Sequence, residues 1–335
     1  MRALPEEFDA GKLPGLLAEG WGFEAQGTEY AAVGGGSYHW VASDREGARR
    51  FVTVDDLDRK AWLGDTRDAV FDGLRRAFDT SAALHADGLG FVLAPIAACG
   101  GESVLRIGPR HTIALFPFVE GRAGHFGRYE STEERVEVAS MLADLHGATP
   151  AAASVARRLE LDLPGRRHVE AALRDVGEPW PGGPFSEPAR EAVATHAADL
   201  AELLGLADRL REEIARSGAD WVVTHGEPHS ANVMRTADGL LLVDWDTAGL
   251  APPERDLWMV VEEAGEEAAA YAEAAGHQPN PAALSFYRLA WDLGDLSEYL
   301  VVLRAPHRET EDTARAFQGV ENCVSIRERW TALLG

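Results

Sequence analysis

The chain has 335 residues and a formal charge of −23, long enough for a two-lobed fold with sizeable cores and of the wrong sign for DNA, RNA or anionic membranes, whose phosphates are bound through positive charge. Two cysteines, Cys99 and Cys323, and no basic start running into an apolar stretch exclude a disulfide framework and give no export signal, so a cytoplasmic protein is expected. The longest mostly apolar run, 88–100, is too short to span a bilayer and contains Pro95.

In chain order, Asp9 to Gly20 places Leu13, Leu16 and Leu17 on one side of a short helix. Tyr30–Val33 and Tyr38–Val41 read as strands joined by Gly34, Gly35, Gly36 and Ser37, which form either a plain turn or a loop whose backbone amides lie over nucleotide phosphates. The turn Asp44–Gly47 leads into a third strand, Arg50–Val54. From Thr66 to His85, Val70, Leu74, Phe78 and Leu84 mark a helix packed on the sheet. Phe91–Leu93, Ser103–Ile107 and His111–Phe116 are expected strands, and Pro117-Phe118-Val119-Glu120-Gly121 breaks the pattern as a linker. Ser131-Thr132-Glu133-Glu134 is a capping box ahead of the stripe Val138, Met141, Leu142 and Leu145. Residues 150–188 predict helices interrupted by loops, and Glu187–Arg216 one or two more.

The chemistry concentrates between Val222 and Trp258. Asn232–Thr236 and Leu240–Asp244 flank Ala237-Asp238-Gly239, a hairpin signal. If Thr236 faces Leu240, Asn232 stands opposite Asp244 with Cα atoms roughly 5 Å apart. An amide oxygen and a carboxylate then converge as hard ligands of the kind Mg²⁺ uses beside phosphate oxygens. Glu227, on the loop leaving the strand Trp221–Thr224, adds a second carboxylate that need not compete for the metal. This is a layout for phosphoryl transfer.

His225-Gly226-Glu227, Asn232, Asp244 and the later Asp256 resemble the catalytic block of the aminoglycoside phosphotransferase and choline kinase-like family, relatives of protein kinases. The resemblance implies an α+β, bilobal, kinase-like fold: residues 1–116 as a β-rich nucleotide lobe, 117–121 as a hinge, and 122–335 as a mainly helical lobe for catalysis and acceptor binding. It implies ATP or GTP as donor, Mg²⁺ held by Asn232 and Asp244, and Glu227 orienting or deprotonating the acceptor hydroxyl; Asp246, two residues past Asp244, is a candidate helper, or transfer relies mainly on positioning and metal charge. It makes His225 chiefly a holder of the catalytic loop, Asp256 a brace, and Pro117, Phe118 and Val119 the backbone edge for the base. His229 is left without a role. Two departures stand out. Glu227 replaces the usual Asp, moving the carboxylate by on the order of 1 Å, and the third strand carries Thr53 or Val54 where relatives have a lysine. Lys60 folding back, or Arg75 or Arg76, are the substitutes, although each also reads as an ordinary surface residue. Lys12 and Lys60 are the only two lysines, a pattern that looks like base-composition bias.

Further on, Asp292, Asp295 and Glu298 recur every three residues beside Trp291 and Tyr299, either a solvated face or a carboxylate row suited to a polyamine. In the family this region lines the acceptor pocket, so these residues, with Glu262 and Glu263, are the expected substrate contacts. The expectation is a kinase for a cationic antibiotic of aminoglycoside or basic peptide type, working as a monomer or weak homodimer without nucleic-acid or membrane partners. A metabolite kinase acting on choline, homoserine or a sugar derivative is the alternative, and a non-catalytic pseudokinase that binds nucleotide or ligand is another.

Overall fold

Residues 8–127, 129–218, 220–262 and 265–334 are described by the computed structural model. Alternating side chains build its first sheet. Tyr38, Trp40 and Ala42 on β2 (Tyr38–Ser43) and Val52 and Val54 on β3 (Arg49–Asp56) are buried together, as residues two apart share a face. With β1 (Gly27–Ala31), β4 (Leu105–Ile107) and β5 (His111–Pro117) they form an antiparallel sheet ordered β1-β2-β3-β5-β4. Leu13 and Leu17 of α1 (Leu13–Trp21) pack on that face. The opposite face, with Ala114 and Phe116, takes Val70, Leu74 and Phe78 of α2 (Arg67–Ala86). Thr66 starts this helix by accepting the Ala69 N–H at 3.2 Å, satisfying a donor the first turn leaves unpaired.

Phe91–Leu93 does not join the sheet. It makes a single bridge, Val92 with Leu242, because a three-residue apolar run carries too little pattern to set a strand. The expected strand at 103–107 shortens to β4, with the Ser103 hydroxyl donating to Asp79 at 2.6 Å.

Past residue 121 the chain enters β6 (Arg122–Ala123), which pairs with β8 (Val233–Thr236), itself paired with β9 (Gly239–Leu242). The capping box starts α3 (Thr132–Gly147): Ser131 Oγ accepts the Glu134 N–H at 3.1 Å, and Val138, Met141, Leu142 and Leu145 are all buried. The short α4 (Thr149–Ala152) follows. β7 (Val222–Thr224) pairs with β10 (Gly249–Ala251), and α8 (Glu254–Leu257) and α9 (Glu266–Ala275) come next.

By packing, the chain separates into two units, Met1–Leu159 with Trp221–Gln278 and Glu160–Asp220 with Pro279–Gly335. The glycine loop and the catalytic block both fall in the first unit. The second, all helical among the described residues, comprises α5 (Arg166–Arg174), α6 (Ser186–Thr195), α7 (Ala197–Ser217), α10 (Pro281–Arg304), α11 (Glu311–Val324) and α12 (Thr331–Leu334). Its core includes Leu203, Leu210, Leu289, Leu293, Leu296 and Leu300. Asn280 begins α10 by accepting the Ala282 N–H at 2.9 Å, with Pro281 in the first turn. No described helix is long and apolar enough to cross a membrane.

Candidate active site

The hairpin is tighter than its sequence suggests. Thr236 pairs with Gly239 and Val233 with Leu242, one residue away from the expected match of Thr236 with Leu240. Only Ala237 and Asp238 form the loop, and Thr236 Oγ1 secures it by accepting the Asp238 N–H at 3.1 Å and donating to the Gly239 carbonyl at 2.9 Å. Gly239 enters the strand at φ 122°, a conformation open to glycine and avoided by other residues. Counting it as loop displaces the register. Asn232 therefore lies opposite Val243, whose N–H donates to its carbonyl at 2.9 Å. The Asp244 backbone then turns, at φ 66° the only positive value among the described non-glycine residues. Its carboxylate sits within electrostatic reach of Asp246, Lys60, Glu227 and Asp55.

The loop after β7 is held from three sides. Asp256, fully buried on α8, accepts the N–H groups of His225 at 2.9 Å and Gly226 at 2.5 Å. It also takes a hydrogen bond from His146 Nε2 at 3.1 Å, while His146 Nδ1 faces the Tyr271 hydroxyl at 2.7 Å. Gly226, at φ 102°, makes the sharp turn. His225 Nε2 donates to the Val243 carbonyl at 2.9 Å and its Nδ1 accepts the Glu227 N–H at 3.2 Å. Burial lowers its pKa to about 4, so it is a neutral clamp with both nitrogens engaged. Asn232 Nδ2 donates to the Glu227 carbonyl at 3.0 Å, which leaves its amide oxygen as the end able to face a cation. The His229 ring meets Phe126 at 4.7 Å, and its buried Nδ1 has no hydrogen-bond partner among the described residues.

Lys60 folds back, one of the options its sequence left open, rather than taking the surface role. It is 0% exposed, with Nζ 3.0 Å from Asp55 and 2.5 Å from Asp246. Arg75 and Arg76 pair along their own helix with Asp72 and Asp79. Asp55 also accepts from Ser37 Oγ at 2.5 Å and Thr112 Oγ1 at 3.2 Å. A Cβ on Gly36 would lie 3.7 Å from the ammonium, so the glycine loop passes directly over it. Asp246, expected as a helper base, is committed to this ion pair. Burial alone would lower the Lys60 pKa, but Asp246 and Asp55 more than offset it and the net shift is upward.

Asp55, Asp244, Asp246 and Glu227 thus lie close together, with Lys60 paired to Asp55 and Asp246. Asp244 is open to solvent on one side, yet the surrounding protein, then Asp246, push its pKa up to about 8. That surplus of negative charge suits a divalent cation. No group of three or more His, Cys, Asp or Glu is assembled as a closed metal site among the described residues. Mg²⁺ commonly takes only one or two protein oxygens, with water and substrate phosphates supplying the rest. Asn232 and Asp244 fit that donor set.

Pro117 ends β5 opposite Arg50. The Arg49 guanidinium stacks on Phe118 at 3.9 Å and pairs with Glu120, and Val119 is half-buried. In the second unit, Asp292, Asp295 and Glu298 follow one another along α10 while Leu289, Leu293 and Leu296 face its core. Asp292 lies 3.4 Å from Arg329, and burial, then Glu298 and Asp292, raise the Asp295 pKa to about 6. Trp291 is half-buried. Glu262 is exposed in the first unit, where its N–H donates to Glu267 at 2.7 Å; Glu263 lies outside the described residues. Asp55, His146 and Tyr271 were not anticipated. Only Asp55 carries a readable signal, standing two residues beyond Thr53 on the same face of β3.

Comparison with known proteins places the chain in a family. The family profile described as phosphotransferase enzyme family, APH, matches residues 40–287. Protein StrN of Streptomyces griseus is 32% identical over 268 residues, 75% of this chain and 76% of that protein. Among solved structures, spectinomycin phosphotransferase APH(9)-Ia with ADP and spectinomycin is similar with a TM-score of 0.70 at 17% identity, over 97% of this chain and 100% of that one. A microcompartment-associated aminopropanol kinase follows the same fold with a TM-score of 0.64 at 16% identity, over 98% and 99% of the two chains. With a match that runs from β2 into α10 and takes in Lys60 and the whole block from His225 to Asp256, the chain belongs to the APH phosphotransferase enzyme family, with its kinase-like α+β fold.

Proposed function

We propose that this protein transfers the γ-phosphoryl group of ATP or GTP, with Mg²⁺, to a hydroxyl of a cationic small molecule, an antibiotic of aminoglycoside or basic peptide type. The observation that carries this reading is the meeting of Asn232, Asp244 and Glu227 beside the Lys60 ion pairs beneath the glycine loop. In the reaction the bond between the γ-phosphorus and the β–γ bridging oxygen breaks and a new phosphorus–oxygen bond forms to the acceptor. The acceptor proton passes to Glu227, and the nucleoside diphosphate leaves. A bound Mg²⁺ would neutralise phosphate charge. The chain's own part is positional: His225 and Asn232 hold the Glu227 backbone, Asp256 holds the turn before it, and Gly34, Gly35, Gly36 and Ser37 offer amides to the phosphates. Pro117, Phe118 and Val119 form the edge proposed to meet the base.

For the acceptor, the reading rests on the α10 row. Of three carboxylates at successive turns, Asp295 and Glu298 have raised pKa values, and a polycation relieves the repulsion that contributes to the shift at Asp295. Likeness to an aminopropanol kinase supports a second reading, a small amino-alcohol or related metabolite as acceptor. The test is incubation of the purified protein with Mg²⁺-ATP or Mg²⁺-GTP and a panel of cationic antibiotics, choline, homoserine and sugars, scored by mass for an added phosphate. Phosphate on a polycation supports the first reading and phosphate only on metabolites the second. Nucleotide binding with no transfer to any acceptor points to a pseudokinase.

A further inference from the structure

We propose that Lys60 is the cation that grips the donor nucleotide's phosphates, moved from the third strand into the turn after it, and that Asp55 on that strand, rather than a helix carboxylate, aims it. The proposal rests on the phosphotransferase reading above. Kinases place this lysine on the third strand and steady it with an acid from the following helix. Here that face of β3 presents Thr53, whose Oγ1 lies 3.2 Å from His39 Nδ1. Burial lowers the pKa of that β2 histidine to about 4, so neither Thr53 nor His39 beside it offers a positive charge at this point.

The next residue on the same face is Asp55, after which two short turns, Leu57–Arg59 and Ala61–Leu63, fold Lys60 back beneath the glycine loop. An ammonium has three N–H donors. Asp55 and Asp246 take two of them, and a phosphate oxygen would take the third once the glycine loop over the covered ammonium gives way. Ser37 ties the glycine loop to the same Asp55, so one carboxylate sets both the loop and the lysine. The acids of α2 are engaged elsewhere: Asp68 with Arg106, Asp72 with Arg75, and Asp79 with Ser103 and Arg75. Because the anchor belongs to the strand that precedes the turn, the pair forms without any adjustment of α2. A purely structural lysine is the competing account, and it predicts no effect on nucleotide affinity beyond an effect on folding.

The experiment compares Lys60→Met and Lys60→Gln in the full chain with Arg75→Met and Arg76→Met, by calorimetric titration with Mg²⁺-ATP and Mg²⁺-ADP, by kcat and KM, and by thermal unfolding without ligand. Folded Lys60→Met or Lys60→Gln protein is expected to bind nucleotide about 10-fold more weakly or worse and to lose about 10²-fold in kcat/KM. The two arginine variants are expected to match the wild type. Asp55→Asn is expected to raise the nucleotide KM in parallel, while Asp68→Asn and Asp72→Asn on α2 leave it unchanged. Wild-type affinity in folded Lys60→Gln, or loss of affinity in the arginine variants alone, overturns the proposal. A wild type that binds neither ATP nor GTP overturns the phosphotransferase reading itself, a result distinguishable from the first.

Discussion

Two aspartates of the first unit, Asp256 and Asp244, meet opposite surroundings. Asp256 is fully buried, and burial alone would raise its pKa, but the hydrogen bond from His146 and the charge of Arg255 bring the net shift below the ordinary carboxylate range. Its backbone donors from His225 and Gly226 complete the shell. Asp244 is open to solvent on one side but hemmed in by protein and by Asp246, and its pKa rises to about 8. The contrast separates two uses of a carboxylate. One is surrounded by donors and fixes a loop; the other has mostly carboxylates and one lysine about it and is the residue proposed to meet a cation.

Substitution at the two positions should divide activity from stability. Asp244→Asn, a residue that tolerates the left-handed backbone at that position, is expected to lower kcat by about 10³-fold while the melting temperature holds or rises. Asp256→Ala is expected to cost about 3–5 kcal/mol of unfolding free energy, read from urea titrations, because it strands three donors at once. The pH dependence sharpens this. A folded pKa below the unfolded one stabilises above the unfolded value and loses that stabilisation as pH falls through the folded value, so the gap between wild type and Asp256→Ala should be full at neutral pH and shrink on acidification.

Glu227 lies between the two aspartates in character, with its backbone held by His225 and Asn232 and its carboxylate proposed to take the acceptor proton. Shortening it in Glu227→Asp withdraws the carboxylate by about 1 Å and should lower kcat about 10²-fold with little change in nucleotide affinity. The smallest effect is expected at Asp295. Its raised pKa means the folded chain keeps a proton that the unfolded chain has released between about pH 4 and 6, so stability falls as pH climbs through that window. Asp295→Asn should therefore add about 1–2 kcal/mol at pH 7 and raise KM for a polycationic acceptor about 10-fold. An unchanged KM would assign the row to solvent rather than to substrate.

Much of the scaffold is legible in the sequence because it depends on local periodicity. Val70, Leu74 and Phe78 on α2 and the stripe after Ser131 on α3 lie buried where their spacing puts them. The strand after the glycine loop, β2, follows from alternation in the same way, whereas the one before it, expected at Tyr30–Val33, lies at Gly27–Ala31. Less legible are features set by single backbone angles or by distant partners. Gly239 shifts the hairpin register through its positive φ, and Asp244 reaches its neighbours through its own turn rather than through pairing. The Lys60 contact with Asp246 spans 186 residues, and nothing local to either position announces it. The one available hint is compositional: where arginine serves nearly every other basic position, a lysine at 60 marks a place where a compact ammonium fits and a planar guanidinium does not.

The helical unit is assembled from two separated lengths of chain, Glu160–Asp220 and Pro279–Gly335, with Trp221–Gln278 belonging to the other unit between them. During synthesis α5, α6 and α7 leave the ribosome long before α10, against which their apolar faces close in the finished core. That half must wait uncovered until the last helices emerge, which makes it the stretch most exposed to chaperone capture and aggregation as the nascent chain grows.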